Sequence, residues 1–154
     1  MSKNSIWQQT NSLVIYWDYE DLSQINVFVK AVDQFLSLKK FKSVLIVVSI
    51  PKDLDKKTLP PHFLIYYNSP ADYSMFGKLK DVQLESELVK KYDLLIYNGN
   101  LKSKFFPLLK NVSIKRRLLL NDMHPHFDLQ IASTQTDTAA QFNYIHQTLE
   151  KIAQ

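Results

Sequence analysis

The chain is punctuated by five short apolar runs, at residues 13–17 (LVIYW), 43–49 (SVLIVVS), 63–67 (FLIYY), 93–97 (DLLIY) and 115–121 (KRRLLLN). The first four carry β-branched and aromatic residues, and all five are too short for a core helix. In most of them apolar side chains fill consecutive positions instead of alternating with polar ones, so both faces of each strand are expected to be buried. A sheet covered on both faces is the property of parallel α/β architectures. It excludes a helical bundle and an antiparallel sheet with one wet face. Residues 128–133 (DLQIAS) alternate apolar with polar and predict an edge strand with one solvated face.

Helical spacing fills the gaps between the runs. Asp21 with Gln24 forms a capping-box pattern, and Leu22, Ile25, Val29, Val32 and Leu36 then recur at helical intervals up to Lys39 and Lys40. The segment 51–61, bounded by prolines, has room for one helical turn. Leu84 and Leu88 mark a short helix over 83–91, and Leu101, Phe105, Leu108 and Val112 another, which Pro107 confines to a start near Ser103 or later. Phe142, Ile145, Leu149 and Ile152 line a final helix. The expected fold is a three-layer Rossmann-like α/β domain with a mostly parallel sheet of five to six strands. The expected order is 3-2-1-4-5 with strand 6 at the edge. Residues 1–12 read as an N-terminal extension and 13–154 as one domain.

Composition removes several classes of chemistry. Cysteine is absent, which excludes disulfides, thiolate nucleophiles, iron–sulfur clusters and cysteine-containing zinc sites. Glycine occurs only at Gly77 and Gly99, so neither the three-glycine dinucleotide fingerprint nor the P-loop can be written. Lys plus Arg is 19 against 15 for Asp plus Glu, and the net charge of +4 falls short of a dedicated nucleic-acid binder. Residues 1–11 lack the apolar core of a signal peptide, and no apolar run approaches the roughly 18 residues of a membrane span. The expectation is a cytoplasmic domain that meets neither membrane nor nucleic acid and needs no cofactor.

Three resemblances add to this. Phe76-Gly77-Lys78, Tyr92-Asp93-Leu94-Leu95-Ile96, Asn100-Leu101-Lys102, Phe106-Pro107-Leu108, the basic strand at 115–117 and Asp128-Leu129-Gln130-Ile131 together resemble a family of uncharacterised bacterial Rossmann-like domains, a domain of unknown function. That likeness implies a fold and brings no activity. Residues 14–22 (VIYWDYEDL) are similar to the first strand of the NYN branch of PIN-like ribonucleases, with Asp21 where the pattern has Asn. Asn98-Gly99-Asn100 stands where that family has Ser-Gly-Asp. The resemblance implies a Mg²⁺ site built from converging carboxylates, for which Asp18, Glu20 and Asp21 are the available ligands. Residues 91–103 (KYDLLIYNGNLKS) resemble a segment in the N-terminal half of heptosyltransferase-type glycosyltransferases, which need two such halves.

In an open parallel sheet, ligands bind beyond the carboxyl ends of the strands where the order reverses, here between strands 1 and 4. Asp18, Glu20 and Asp21 would stand on one side of that crevice. Asn98, Asn100, Lys102 and Ser103 would stand on the other, leading into a helix N-terminus that attracts anions. A small phosphate-bearing molecule or a protein partner is the expected occupant, in a binding module rather than an enzyme. The metal-dependent ribonuclease and a phosphate- or nucleotide-sugar-binding domain are the alternatives. The simpler role of each residue is capping for Asp21 and turn formation for Asn98 and Asn100.

The basic residues Lys102, Lys104, Lys110, Lys115, Arg116 and Arg117 should scatter over a solvated surface. Tyr66, Tyr67, Tyr73, Phe76 and Tyr97 should pack around the ends of strands 3 and 4. In the segment 122–128, His124 and His126 with Asp122 and Asp128 have alternate spacing suited to Zn²⁺, but Pro125 should break the extension and leave a solvated loop.

Overall fold

A computed structural model describes residues 4–153. Six strands form one sheet in the order β3-β2-β1-β4-β5-β6, and every neighbouring pair is parallel. They are β1 (Ser12–Asp18), β2 (Ser43–Ser49), β3 (Ile65–Asn68), β4 (Lys91–Asn98), β5 (Ser113–Leu120) and β6 (Leu129–Ile131). The Rossmann-like α/β fold and the strand order expected from the apolar runs are both present.

Strand alternation sorts the side chains into two cores. Leu13, Ile15 and Trp17 of β1 join Ile46 and Val48 of β2 on one face. Val14 and Tyr16 join Leu45 and Val47 on the other. The first face is covered by α1 (Ile6–Gln9), α2 (Leu22–Leu36) and α5 (Thr138–Lys151). Asp21 caps α2 by accepting from the Gln24 N–H at 2.8 Å, as its spacing predicts. The second face is covered by two short helices, α3 (Val82–Glu87) and α4 (Phe106–Lys110), together with loops.

The structure differs from the sequence reading at several places. The residues set apart as an extension contain α1, whose Ile6 and Trp7 are buried in the first core. Trp7 packs edge-on to Phe35 and His146, and the Ile6 N–H donates to the Ile152 carbonyl at 2.9 Å. Third-strand pairing starts at Ile65 rather than Phe63, because Phe63 and Leu64 lie in a turn closed by the Ile65 N–H on the His62 carbonyl at 3.1 Å, with His62 itself paired to Asp33 on α2 at 2.8 Å. Arg117 is buried rather than solvated. Its guanidinium donates to the carbonyls of Leu109 and Val112 at the end of α4, 2.8 Å each, where the helix dipole favours a cation. No helix among the described residues is long and apolar enough to cross a membrane.

Candidate functional site

Register decides which side chains meet at the carboxyl end of the sheet. Asp18 of β1 pairs with Ser49 of β2, and Ser49 pairs with Asn68 of β3. In-register residues on neighbouring strands point to the same face, so a carboxyl, a hydroxyl and an amide stand in a row, each strand about 4.8 Å from the next. All three lie in phase with Tyr16, Val47 and Tyr66, which places them on the face of α3 and α4. On β4 the next in-phase position, after Tyr97, is Gly99.

The row faces an open cavity of about 290 Å³, also lined by Tyr19, Ser69, Tyr73, Asn100, Ser103, Lys104 and Phe105. Asp18 is anchored, not free. Its Oδ2 accepts from the Asn100 N–H at 2.8 Å. A Cβ on Gly99 would lie 2.7 Å from Asp18 Oδ1 and 2.7 Å from the Tyr16 ring, so only glycine leaves room for the carboxyl here. Burial pushes the Asp18 carboxyl above its ordinary range, with the Asn100 hydrogen bond opposing.

Beneath the row, Tyr16 and Tyr97 stack at 4.3 Å and are fully buried. Tyr97 donates to the Asn100 carbonyl at 2.7 Å and touches Ser103 Oγ at 3.2 Å. Since the Tyr97 proton is already given to Asn100, Ser103 is the donor in that second contact. The Tyr16 hydroxyl lies near Ser49, Ser103 and Asp18 without hydrogen-bond geometry to any of them. Both phenols are held above their ordinary range, chiefly by burial. Asn68 is 4% exposed; its amide oxygen accepts from the Tyr73 hydroxyl at 2.8 Å, which leaves Nδ2 without a protein acceptor. Lys104 lies 5.5 Å from the Tyr73 ring centroid and contributes the cation.

Of the residues expected at the crevice, Asp18, Asn100 and Ser103 line the cavity. Glu20 and Asp21 are exposed and lie away from it, with Asp21 committed to capping. Asn98 is out of phase with the row, and Lys102 points outward while its N–H closes a turn onto Asn100 Oδ1 at 2.8 Å. The helix N-terminus expected to attract anions is short. The five-residue α4 has its Phe106 N–H directed at Ser103 Oγ, 3.3 Å away, and a proline follows.

The sequence does not by itself place Ser49 and Asn68 at the crevice, and it assigns Lys104 to a solvated surface. The signal was present: each of the first three strands ends its apolar run on a polar residue, Asp18, Ser49 and Asn68.

The carboxylates that a ribonuclease of the PIN type would converge do not meet. Among the described residues no group of three or more His, Asp or Glu gathers around one point. The 122–128 segment is the expected loop, a turn with the Phe127 N–H donating to the His124 carbonyl at 3.2 Å and with Asp122, Met123, Pro125 and Asp128 exposed. His124 and His126 are half-buried and pack edge-on against Phe106 and Phe127. Burial, with Arg117 and Lys110 nearby, holds His126 below its ordinary pKa. A larger groove of about 390 Å³ lies between α2 and α5. Asp137 on its rim is occupied in capping α5, and the remainder is mostly Ala, Phe and Leu.

The fold and the cavity at its strand ends define a Rossmann-like α/β domain. No protein-family model and no curated protein matches the chain. Among solved structures, the chain is similar to an exopolyphosphatase-related protein from Bacteroides fragilis, with a TM-score of 0.55 and 12% identity. The match covers 94% of this chain and 41% of the other, so this chain spans about two fifths of its neighbour's length. At that identity the likeness is one of fold.

Proposed function

We propose that this chain is a non-catalytic binding module for a small phosphate-bearing molecule, of a kind with the uncharacterised bacterial domains it resembles. The observation that carries the reading is the in-register row Asp18–Ser49–Asn68 opening into a cavity of about 290 Å³ with Lys104 at its rim. Ligand pockets combine an apolar, aromatic wall with a few convergent polar groups. Here Tyr73 and Phe105 provide the wall, and Lys104 is the group suited to an anion. The volume sits at the lower end of the roughly 300–1,000 Å³ usual for ligand sites, which favours a small phosphate ester over a nucleotide sugar. The name of the solved neighbour, exopolyphosphatase-related, is in keeping with a phosphate-bearing ligand. The non-catalytic half rests on Asp18, the one carboxylate in the cavity lining, being held by a backbone N–H with no histidine beside it.

Calorimetric titration with ribose 5-phosphate and with pyrophosphate tests the reading, using Lys104→Glu as control. Saturable binding of at least one of them, weakened about tenfold or more in the variant, is expected. Saturable binding of neither would remove the site. Steady release of inorganic phosphate from either compound would remove the non-catalytic assignment.

A further inference from the structure

Resting on that reading, we propose that the ligand is a phosphorylated polyol of sugar-phosphate type, whose hydroxyls bind the Asp18–Ser49–Asn68 row while its phosphate stays at Lys104. Three polar groups with different capacities stand side by side in this row. Asp18 offers an acceptor oxygen, because only Oδ2 is engaged by Asn100. Asn68 offers Nδ2 as a donor, its oxygen being taken by Tyr73. Between them, Ser49 has a hydroxyl that can both give and take, and its neighbour below is the unpartnered, fully buried Tyr16 hydroxyl.

A ligand atom meeting this row must donate to Asp18 while accepting from Ser49 or Asn68. Among common ligand groups, hydroxyls do both. A phosphate oxygen only accepts, and beside Asp18 it would place like charges together without a cation. An ammonium only donates, and would leave Ser49 and Asn68 unmet. Bare pyrophosphate therefore fits the Lys104 rim but not the floor. Successive hydroxyls along a short carbon chain present alternating opportunities to give and take, which suits three groups spaced by the strand separation. The raised pKa of Asp18 is consistent with an acceptor that welcomes a shared proton.

The test compares ribose 5-phosphate with pyrophosphate on the whole chain, in the parent, Asp18→Asn and Ser49→Ala, with melting temperatures recorded alongside. Asp18→Asn is isosteric and its amide oxygen can still accept from Asn100. Expected is tighter binding of ribose 5-phosphate than of pyrophosphate by about tenfold. Asp18→Asn should weaken the sugar phosphate about tenfold while pyrophosphate holds or gains, because a like charge is removed. Ser49→Ala should weaken ribose 5-phosphate about threefold. A merely unstable variant would weaken both ligands together. If pyrophosphate binds as tightly as ribose 5-phosphate, or if Asp18→Asn affects both alike, the polyol assignment is overturned and the binding site stands. If neither binds the parent, both are overturned.

Discussion

The two faces of the sheet are built from different materials. One is hydrocarbon: Trp7, Trp17, Phe28, Phe35 and Phe142 pack ring against ring beneath helices of 15 and 14 residues. The other buries Tyr16, Tyr73, Tyr92, Tyr97 and Arg117 beneath helices of six and five residues. Phenol and guanidinium groups each call for a partner; on this face loop and helix-end carbonyls provide it for Tyr92, Tyr97 and Arg117, and the Asn68 amide for Tyr73, while the Tyr16 hydroxyl has none. Tyr92, whose hydroxyl donates to the Glu87 carbonyl, is pushed by burial up to about 12. The comparison separates two tasks. The dry face holds the chain together, and the phenolic face leaves the strand ends open enough for a cavity.

The sharpest way to break the comparison is to remove a ring from the dry side. Phe142 stacks on Trp17 at 4.8 Å and meets Phe35 at 4.9 Å. Phe142→Ala should lower unfolding free energy by about 3–5 kcal/mol in urea titration, while the folded fraction binds ligand unchanged. A loss in the cavity at unchanged stability would contradict the division.

On the phenolic side the large effects are polar. Arg117→Met would leave the Leu109 and Val112 carbonyls bare, at about 1–3 kcal/mol each, read by the same titration. Were its effect within error of zero, the buried guanidinium would have no structural role. Gly99→Ala follows, since its Cβ falls 2.7 Å from both Asp18 Oδ1 and the Tyr16 ring. Overpacking of this kind costs about 1–3 kcal/mol. It should also displace Asp18 and weaken ribose 5-phosphate, a coupling that no substitution on the dry face shows.

Tyr16→Phe deletes a buried hydroxyl that has no partner within the protein. Stability should hold or rise by up to about 1 kcal/mol, the opposite sign from an ordinary buried tyrosine. A fall above that size would mean the hydroxyl is engaged in solution. The smallest effect is electrostatic. Burial raises the Asp18 carboxyl above 3.8, so the folded chain holds that proton more tightly than the unfolded one. Between 3.8 and the raised value folding takes up a proton, and stability falls as pH rises through that window. Asp18→Asn should therefore be slightly more stable than the parent at neutral pH. The advantage should close as pH falls toward about 4, the ordinary Asp range; an advantage that persists in acid would refute this origin.

Most of the fold was legible because continuous runs such as 43–49 admit few readings other than a strand buried on both faces. Boundaries were less so. Phe63 carries the same β preference as Ile65, yet it lies in a turn closed by the Ile65 N–H on the His62 carbonyl, beside a long-range His62–Asp33 pair that local pattern cannot contain. The site was half legible. Asp18, Asn100 and Ser103 follow from the switch-point rule, but Glu20 and Asp21 follow β1 too closely in sequence to stay with it in space, since the chain turns at once into α2. Ser49 and Asn68 required register, which depends on how strands align and not on what each contains. Arg117 was misread as surface because the carbonyls that receive it come from the end of a five-residue helix and the turn that follows it.

A further consequence lies at the far edge of the dry face. Residues 5 and 153 form an antiparallel bridge, and Gln8 reaches Glu150 at 3.2 Å. Topologically the described chain is almost a closed ring, its two ends fastened by a clasp built from α1 and α5. A domain with such a clasp can hang from a host polypeptide at a single point, entered and left through neighbouring positions, without the host's geometry straining the sheet.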